Sequence, residues 1–328
     1  MSLINPQDKI FIAGHNGMVG SSILRSLKKK KYKNILIASK EELDLRNQNK
    51  VDEWFLSHKP NVVILAAAKV GGIGANSTYP VDFLLDNIKI QSNVIESAWK
   101  NDSHRLLFLG SSCIYPKYAQ QPIMEEALLE GALEKTNEWY AIAKITGIKL
   151  CEALREQYGF DALSLMPTNL YGPGDNYHPE NSHVIPALIK KFNDAAIKKS
   201  DIVTCWGSGN PFREFLHVDD LASACIFALE HWDTNLSTAP KDRNGKVLTH
   251  LNVGTGKDIS LKNLAEKIAR ICNFKGIIQW DHSKPDGTPK KLLNVDRLRE
   301  LGWDSKISLN EGLKETVENY KKENFNST

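Results

Sequence analysis

Three observations predict an α/β fold built on a doubly wound parallel sheet. Short apolar runs alternate with longer amphipathic segments through the first half of the chain, the pattern of βαβ units with helices on both faces. The first apolar run leads into Gly14-x-x-Gly17-x-x-Gly20 and then a stretch of helical periodicity, which reads strand, glycine turn, helix. Beyond about Tyr177 the alternation breaks, which calls for a smaller, mostly C-terminal α/β domain. At 328 residues the chain has room for both. The expected division is 1–177 for the sheet domain, with segments returning to it within about 214–256, and 178–328 for the second domain.

Taken in order, Lys9–Ala13 is a strand and Ser21–Leu27 opens the helix behind the glycine turn. Strand Asn34–Ala38, a helix over about Gln48–His58, strand Asn61–Ala66 and helix Phe83–Asn101 follow. Strand Arg105–Gly110, helix Tyr140–Gly159 and strand Ala162–Pro167 complete the regular part. Next, His178–Lys199 contains a helix, and Val203–Trp206 and Arg213–His217 are short strands around Gly207-Ser-Gly-Asn-Pro211. Asp219–Glu230 is helical, while Thr234–Gly245 is polar, rich in turn formers and expected to be a mobile surface loop. His250–Val253 reads as a strand, Leu261–Cys272 as a helix and Lys284–Lys291 as a Pro/Gly loop.

Composition bounds the function. With 41% hydrophobic and 25% charged residues and a net charge of +3, the chain is globular and has no charge excess that calls for nucleic acid or an anionic membrane. The basic run Lys28–Lys31 falls where a helix ends, a position that suits cations. Five scattered cysteines without Cys-x-x-Cys or His/Cys clustering point to a reducing compartment and no metal. No apolar run approaches a membrane span, and no signal-peptide pattern stands at the start, so the expected location is the cytoplasm.

The glycine turn suits a dinucleotide: Gly14, Gly17 and Gly20 permit a tight turn, close approach of backbone to pyrophosphate and close helix–strand packing. The second strand ends in Ala38-Ser39-Lys40 rather than an acidic residue. A hydroxyl and an ammonium fit a 2′-phosphate, which favours NADP(H) over NAD, with surface charge as the alternative for Lys40 beside Glu41 and Glu42. Ala66-Ala67-Ala68 and Gly110-Ser111-Ser112 close two further strands, where small residues leave room for a flat cofactor. Tyr140 and Lys144 lie one helical turn apart on one face. An ammonium beside a phenol favours the phenolate, so the pair can relay a proton in carbonyl/alcohol redox chemistry. Such spacing also arises on solvated helices, and it is the glycine turn and Ser111 that give it weight.

The glycine turn, the serine pair and Tyr-x-x-x-Lys together resemble the extended short-chain dehydrogenase/reductase family, whose sheet is of the Rossmann type. Longer blocks, Ala66–Gly72, Gly110–Pro116, Pro167–Gly172, Asn181–Pro186, Trp206–Gly209, Arg213–Asp220 and Lys284–Pro289, are similar to the branch of that family acting on GDP-linked keto sugars. The resemblance implies 3,5-epimerisation of GDP-4-keto-6-deoxy-D-mannose followed by NADPH-dependent reduction at C4. It implies that Ser111, Tyr140 and Lys144 form the reductase triad and that Cys113 and His183 are the epimerisation acid/base pair. It implies cofactor contacts from His15, Asn16, Met18 and Val19 in the glycine turn, and from Asp44 and Leu45. Leu109, Ser112, Pro167, Thr168, Asn169, Leu170 and His183 complete that set. Lys191, Trp206, Arg213 and Asp286 would hold the nucleotide half of the substrate, and a homodimer is implied through helices Phe83–Asn101 and Tyr140–Gly159.

Simpler readings exist for several of these residues. A cysteine after a strand is often a small buried hydrophobe, His183 can cap the helix behind it, and Trp206 can merely cover a turn. Some family members carry arginine in place of Lys191 and of Asn16. The rivals are a sugar-nucleotide 4-epimerase, which has no need of Cys113 and His183, and a 4,6-dehydratase, expected to carry Asp-Glu where this chain has Ser112-Cys113. A non-catalytic dinucleotide sensor would be free to lose Tyr140 or Lys144.

Overall fold

The structure is a computed structural model that describes residues 2–178, 182–284 and 286–325. Its first sheet grows from strands whose residues alternate between two apolar faces. In β1 (Ile10–Ala13), Ile10 and Ile12 enter one core cluster while Phe11 and Ala13 enter another. The same division recurs in β3 (Val62–Leu65) and β4 (Arg105–Leu109), as a strand buried on both faces requires. With β2 (Ile35–Leu36), β5 (Ala162–Pro167) and β9 (His250–Val253), the spatial order is β2-β1-β3-β4-β5-β9, parallel throughout. One face is covered by α1 (Met18–Lys29) and α7 (Val218–His231), the other by α2 (Gln48–His58), α4 (Pro80–Lys100) and α5 (Glu138–Tyr158).

Local chemistry sets the helix ends. Asn47 caps α2 by accepting the Lys50 N–H at 3.2 Å, Pro80 opens α4, and Gly159 ends α5 at φ +69°. The basic run does close α1, with Lys28 and Lys29 in its last turn. A short helix, α3 (Ile73–Thr78), precedes α4.

Outside the first sheet, β8 (Phe212–His217) is the hub. It pairs with β6 (Asn169–Tyr171) and β12 (Lys290–Lys291) in parallel and with β10 (Asp258–Ser260) antiparallel. A separate pair joins β7 (Ile202–Trp206) to β11 (Ile277–Asp281). A third core lies among α6 (Val184–Lys198), α8 (Leu261–Ile271) and α10 (Leu309–Phe325), while α9 (Asp296–Glu300) returns to the first core through Leu298. Glu214, fully buried in β8, ties these parts together. Its carboxylate accepts the N–H groups of Thr255 at 2.6 Å, Gly256 at 2.7 Å and Leu293 at 3.0 Å.

Two expectations are corrected. The Lys284–Lys291 loop ends in a strand, because Lys290 and Lys291 find ladder partners in Phe212 and Arg213. Thr234–Gly245 is pinned rather than loose. Thr234 accepts from Arg155 at 2.7 Å, Ala239 is buried, Lys241 bridges to Val247, and Arg243 pairs with Glu130. Polarity marked the segment as surface, but its partners come from helices and turns far away in the sequence. Among the described residues, no helix is long and apolar enough to cross a membrane.

Candidate active site

The strand order reverses between β1 and β3, so the loops leaving their carboxyl ends diverge and open a crevice. The glycine turn and Ala66-Ala67-Ala68 stand at that crevice. Gly14 has φ +92°, and a side chain there would lie 2.7 Å from the Ala67 backbone. At Gly20 a Cβ would sit 2.1 Å from the Gly14 carbonyl oxygen. At Gly17 it would meet nothing closer than 3.5 Å, so packing does not explain that glycine and the space beside it is open. The start of α1 has no side-chain cap and no acidic residue in its first turn. The backbone N–H groups of Met18, Val19 and Gly20 are therefore available to an anion. His15 contributes a buried Nδ1 without a partner. An orphaned nitrogen, an uncapped helix start and an open glycine fit a dinucleotide pyrophosphate.

Farther along the crevice, Ser39 is drawn into a reciprocal turn. Its N–H donates to Glu42 at 2.7 Å and its hydroxyl accepts the Glu42 N–H at 3.3 Å, while Lys40 is exposed. The Asp44 carboxylate is bound by Arg46, which holds its pKa down to about 2, and the Leu45 carbonyl accepts from Asn93 at 2.9 Å. Leu109 presents its carbonyl to Lys144, Ser112 is buried, and Gly110 has no room for a side chain against the Met166 sulfur. After Pro167, the side chains of Thr168 and Asn169 both donate to the Glu214 carbonyl, at 3.2 and 2.8 Å, and Leu170 packs into the first core.

The reacting group assembles at the carboxyl end of β4. Ser111 caps the short 3-10 turn Ser112–Ile114, its hydroxyl accepting the Cys113 N–H at 3.2 Å, and it lies near enough to the Tyr140 phenol to favour the phenolate. Burial and the nearby Cys113 push the Tyr140 pKa up. Lys144 is 3% exposed, donates to the Leu109 carbonyl at 2.7 Å and lies 5.8 Å from the Tyr140 ring centroid. Loss of hydration pushes its pKa down to about 7 from 10.5. The unfolded chain thus binds this proton more tightly than the folded chain, and the lysine's contribution to stability rises as pH climbs from about 7 to about 10.5. In denaturant titrations at pH 7 and about 10, the stability of wild type relative to Lys144→Met should increase with pH. A pH-independent difference would contradict this desolvation.

Cys113 is the one cysteine of the five that is not buried. Its Sγ accepts from Asn137 Nδ2 at 3.2 Å and from Lys291 Nζ at 3.8 Å. Neither partner was identified from sequence: Asn137 adjoins the Tyr140 motif, but Lys291 lies 178 positions away. His183 stands at the N-terminus of α6, yet its ring makes no capping bond. It reaches solvent, but enough protein surrounds it that lost hydration lowers its pKa. No hydrogen bond links the His183 ring to the Ser111–Tyr140 cluster. The neighbouring Asn181 lies outside the described residues.

The four nucleotide-binding candidates do gather. Trp206, at the end of β7, is 61% exposed, with Lys191 Nζ 5.6 Å and Lys284 Nζ 5.5 Å from its ring centroid. Lys191 also donates to the Thr204 carbonyl at 3.0 Å. Asp286 accepts the Ser208 N–H and hydroxyl, both at 2.7 Å, and Arg213 reaches the Asp286 carbonyl at 3.4 Å. Burial lowers the Arg213 pKa. Lys284 is a further missed neighbour, invisible while its loop had no known partner.

A phosphate cradle at the first βα corner, with a Ser–Tyr–Lys cluster two strands over, defines a dinucleotide-dependent oxidoreductase of the short-chain type. Residues 10–244 match the NAD dependent epimerase/dehydratase family, and the chain belongs to that family. Within it, the chain belongs with the GDP-L-fucose synthases. It is 52% identical over 321 residues to GDP-L-fucose synthase 1 of Arabidopsis thaliana, covering 98% of this chain and 95% of that one. It is likewise 52% identical over 314 residues to GDP-L-fucose synthase of Escherichia coli (strain K12), covering 95% and 96%. A solved GDP-mannoheptose C4 reductase from Campylobacter jejuni with NADP bound superposes with a TM-score of 0.85 at 34% identity, covering 97% and 99%.

Proposed function

We propose that the chain converts GDP-4-keto-6-deoxy-D-mannose to GDP-L-fucose, epimerising C3 and C5 and then reducing the C4 ketone. The observation that carries the two-step reading is the unburied Cys113 thiol beside the Tyr140 phenol, since reduction alone needs no thiol. A C4 ketone acidifies the hydrogens on C3 and C5. Of Cys113 and His183, one removes such a proton and the other returns one to the opposite ring face. In between, the C–H electron pair rests on the C4 oxygen as an enolate, to which the Ser111 and Tyr140 hydroxyls donate. Gly14–Gly20 would hold NADPH, with Ser39 and Lys40 toward its 2′-phosphate, and the bound cofactor would supply the hydride needed at C4. Tyr140 protonates the C4 oxygen, and its raised pKa keeps it a phenol at neutral pH until that moment. The Lys144 ammonium then stabilises the phenolate left behind. Arg213 and Lys191 complement the diphosphate, and Trp206 offers a flat face.

A homodimer suits this reading. The neighbouring helices α4 and α5 leave Val81, Leu85, Trp139 and Tyr158 exposed. Sedimentation at the mass of one 36.8 kDa chain would refute it. Five free cysteines suit the reducing cytoplasm. The function is tested by incubating the chain with the GDP-keto sugar in deuterated water, with NADPH and with NADH. Consumption of NADPH, faster than of NADH, and deuterium at C3 and C5 are expected. An absence of reduced-cofactor consumption would overturn the reductase reading.

A further inference from the structure

We propose that Lys291 is a positioning residue for the epimerisation: its ammonium holds Cys113 in the thiolate form that exchanges protons with the sugar. This inference rests on the epimerase reading above. Lys290 and Lys291 form β12, so their side chains point to opposite faces. Lys290 turns to Asp258 at 3.2 Å, a solvated pair. Lys291 is half-buried and turns to the sulfur, with Nζ 3.8 Å from Cys113 Sγ. Among the described residues no carboxylate lies within ion-pair distance of Lys291, and its ammonium has the Cys113 sulfur as its side-chain partner.

Its placement is firm. Lys291 pairs with Arg213 in the ladder, Leu292 N–H donates to Gln121 at 2.8 Å, and Leu293 N–H donates to buried Glu214 at 3.0 Å. Other charged groups around the thiol are also accounted for. Arg213 of β8 is a second cation acting on Cys113, and Tyr140 of α5 faces it as a phenol. Glu134, the nearby anion, pairs with Lys117 at 2.8 Å and is attracted more weakly by Lys291. Asn137 donates to the sulfur from the start of α5, which favours the anion as well. A cation beside a thiol stabilises the thiolate, the form that acts as base and nucleophile.

The test is the rate at which iodoacetamide alkylates Cys113 at pH 7, read by mass spectrometry of the Cys113 peptide, with Cys113→Ser marking the background. The four other cysteines are buried. Lys291→Met and Lys291→Gln should slow alkylation about tenfold, whereas Lys291→Arg, which keeps the charge, should stay within about twofold of wild type. Deuterium uptake at C3 and C5 should fall in parallel in the Met and Gln variants. In wild type, alkylation should reach half its plateau rate at a lower pH than that of free cysteine, a reading that holds even if a variant fails to fold, and a midpoint at or above that of free cysteine would defeat the inference. Unchanged alkylation in the Met and Gln variants, or equal loss in Met and Arg, would overturn the inference. Alkylation needs no sugar, so a wild type that takes up no deuterium would defeat the epimerase reading alone.

Discussion

Tyr140→Phe is expected to lower C4 reduction by about 10³-fold, within the range that a positioned general acid contributes. The phenylalanine keeps the ring and loses only the hydroxyl. That hydroxyl lies near Ser111, and burial and Cys113 push its pKa up, so it stays protonated at neutral pH. Without it, hydride arrival at C4 would leave an alkoxide with no acid in reach. Ser111 is too weak an acid to substitute, and Lys144 points its ammonium at the Leu109 carbonyl. Cofactor binding should survive, because the phosphate cradle lies in another loop. Single-turnover loss of NADPH absorbance, with NADPH affinity measured in parallel, reads both. Near-normal reduction in the variant would remove Tyr140 from the mechanism.

Cys113→Ser should separate the two halves of the reaction. Serine preserves size and a hydrogen-bonding atom but is a far weaker acid, so deuterium uptake at C3 and C5 should fall by about 10²-fold or more. Hydride transfer to a keto sugar supplied already epimerised should stay within about threefold of wild type, since Ser111, Tyr140 and Lys144 are untouched. Local structure should hold, because the Ser111 contact to residue 113 uses the backbone N–H. Equal loss of both activities would count against distinct epimerase and reductase groups.

Much of this was legible before any coordinates, for reasons particular to each element. The first sheet was readable because its strands are buried on both faces and its helices carry amphipathic periodicity; Gln48–His58, Ala162–Pro167 and His250–Val253 match residue for residue. The unread elements depend on distant partners. Strand β12 is two residues long and exists only against β8, and β10 and β6 likewise pair with β8. The last helix did carry a signal, with Leu313, Val317 and Tyr320 buried at helical spacing, but its charged remainder obscured it.

What the sequence determined by itself is local chemistry: a glycine turn that only a strand–helix corner explains, a tyrosine and lysine on one helical face, a thiol following a strand. Spacing within a helix or turn is set by covalent geometry, so these relations can be read directly. What only the tertiary structure decided is who stands beside whom across the chain. Lys291 reaches the Cys113 sulfur, Lys284 joins Lys191 at Trp206, and Glu214 binds three backbone N–H groups from two distant segments. Such contacts follow from strand pairing and core packing, whose partners lie tens to hundreds of residues apart and leave no periodic trace in the sequence.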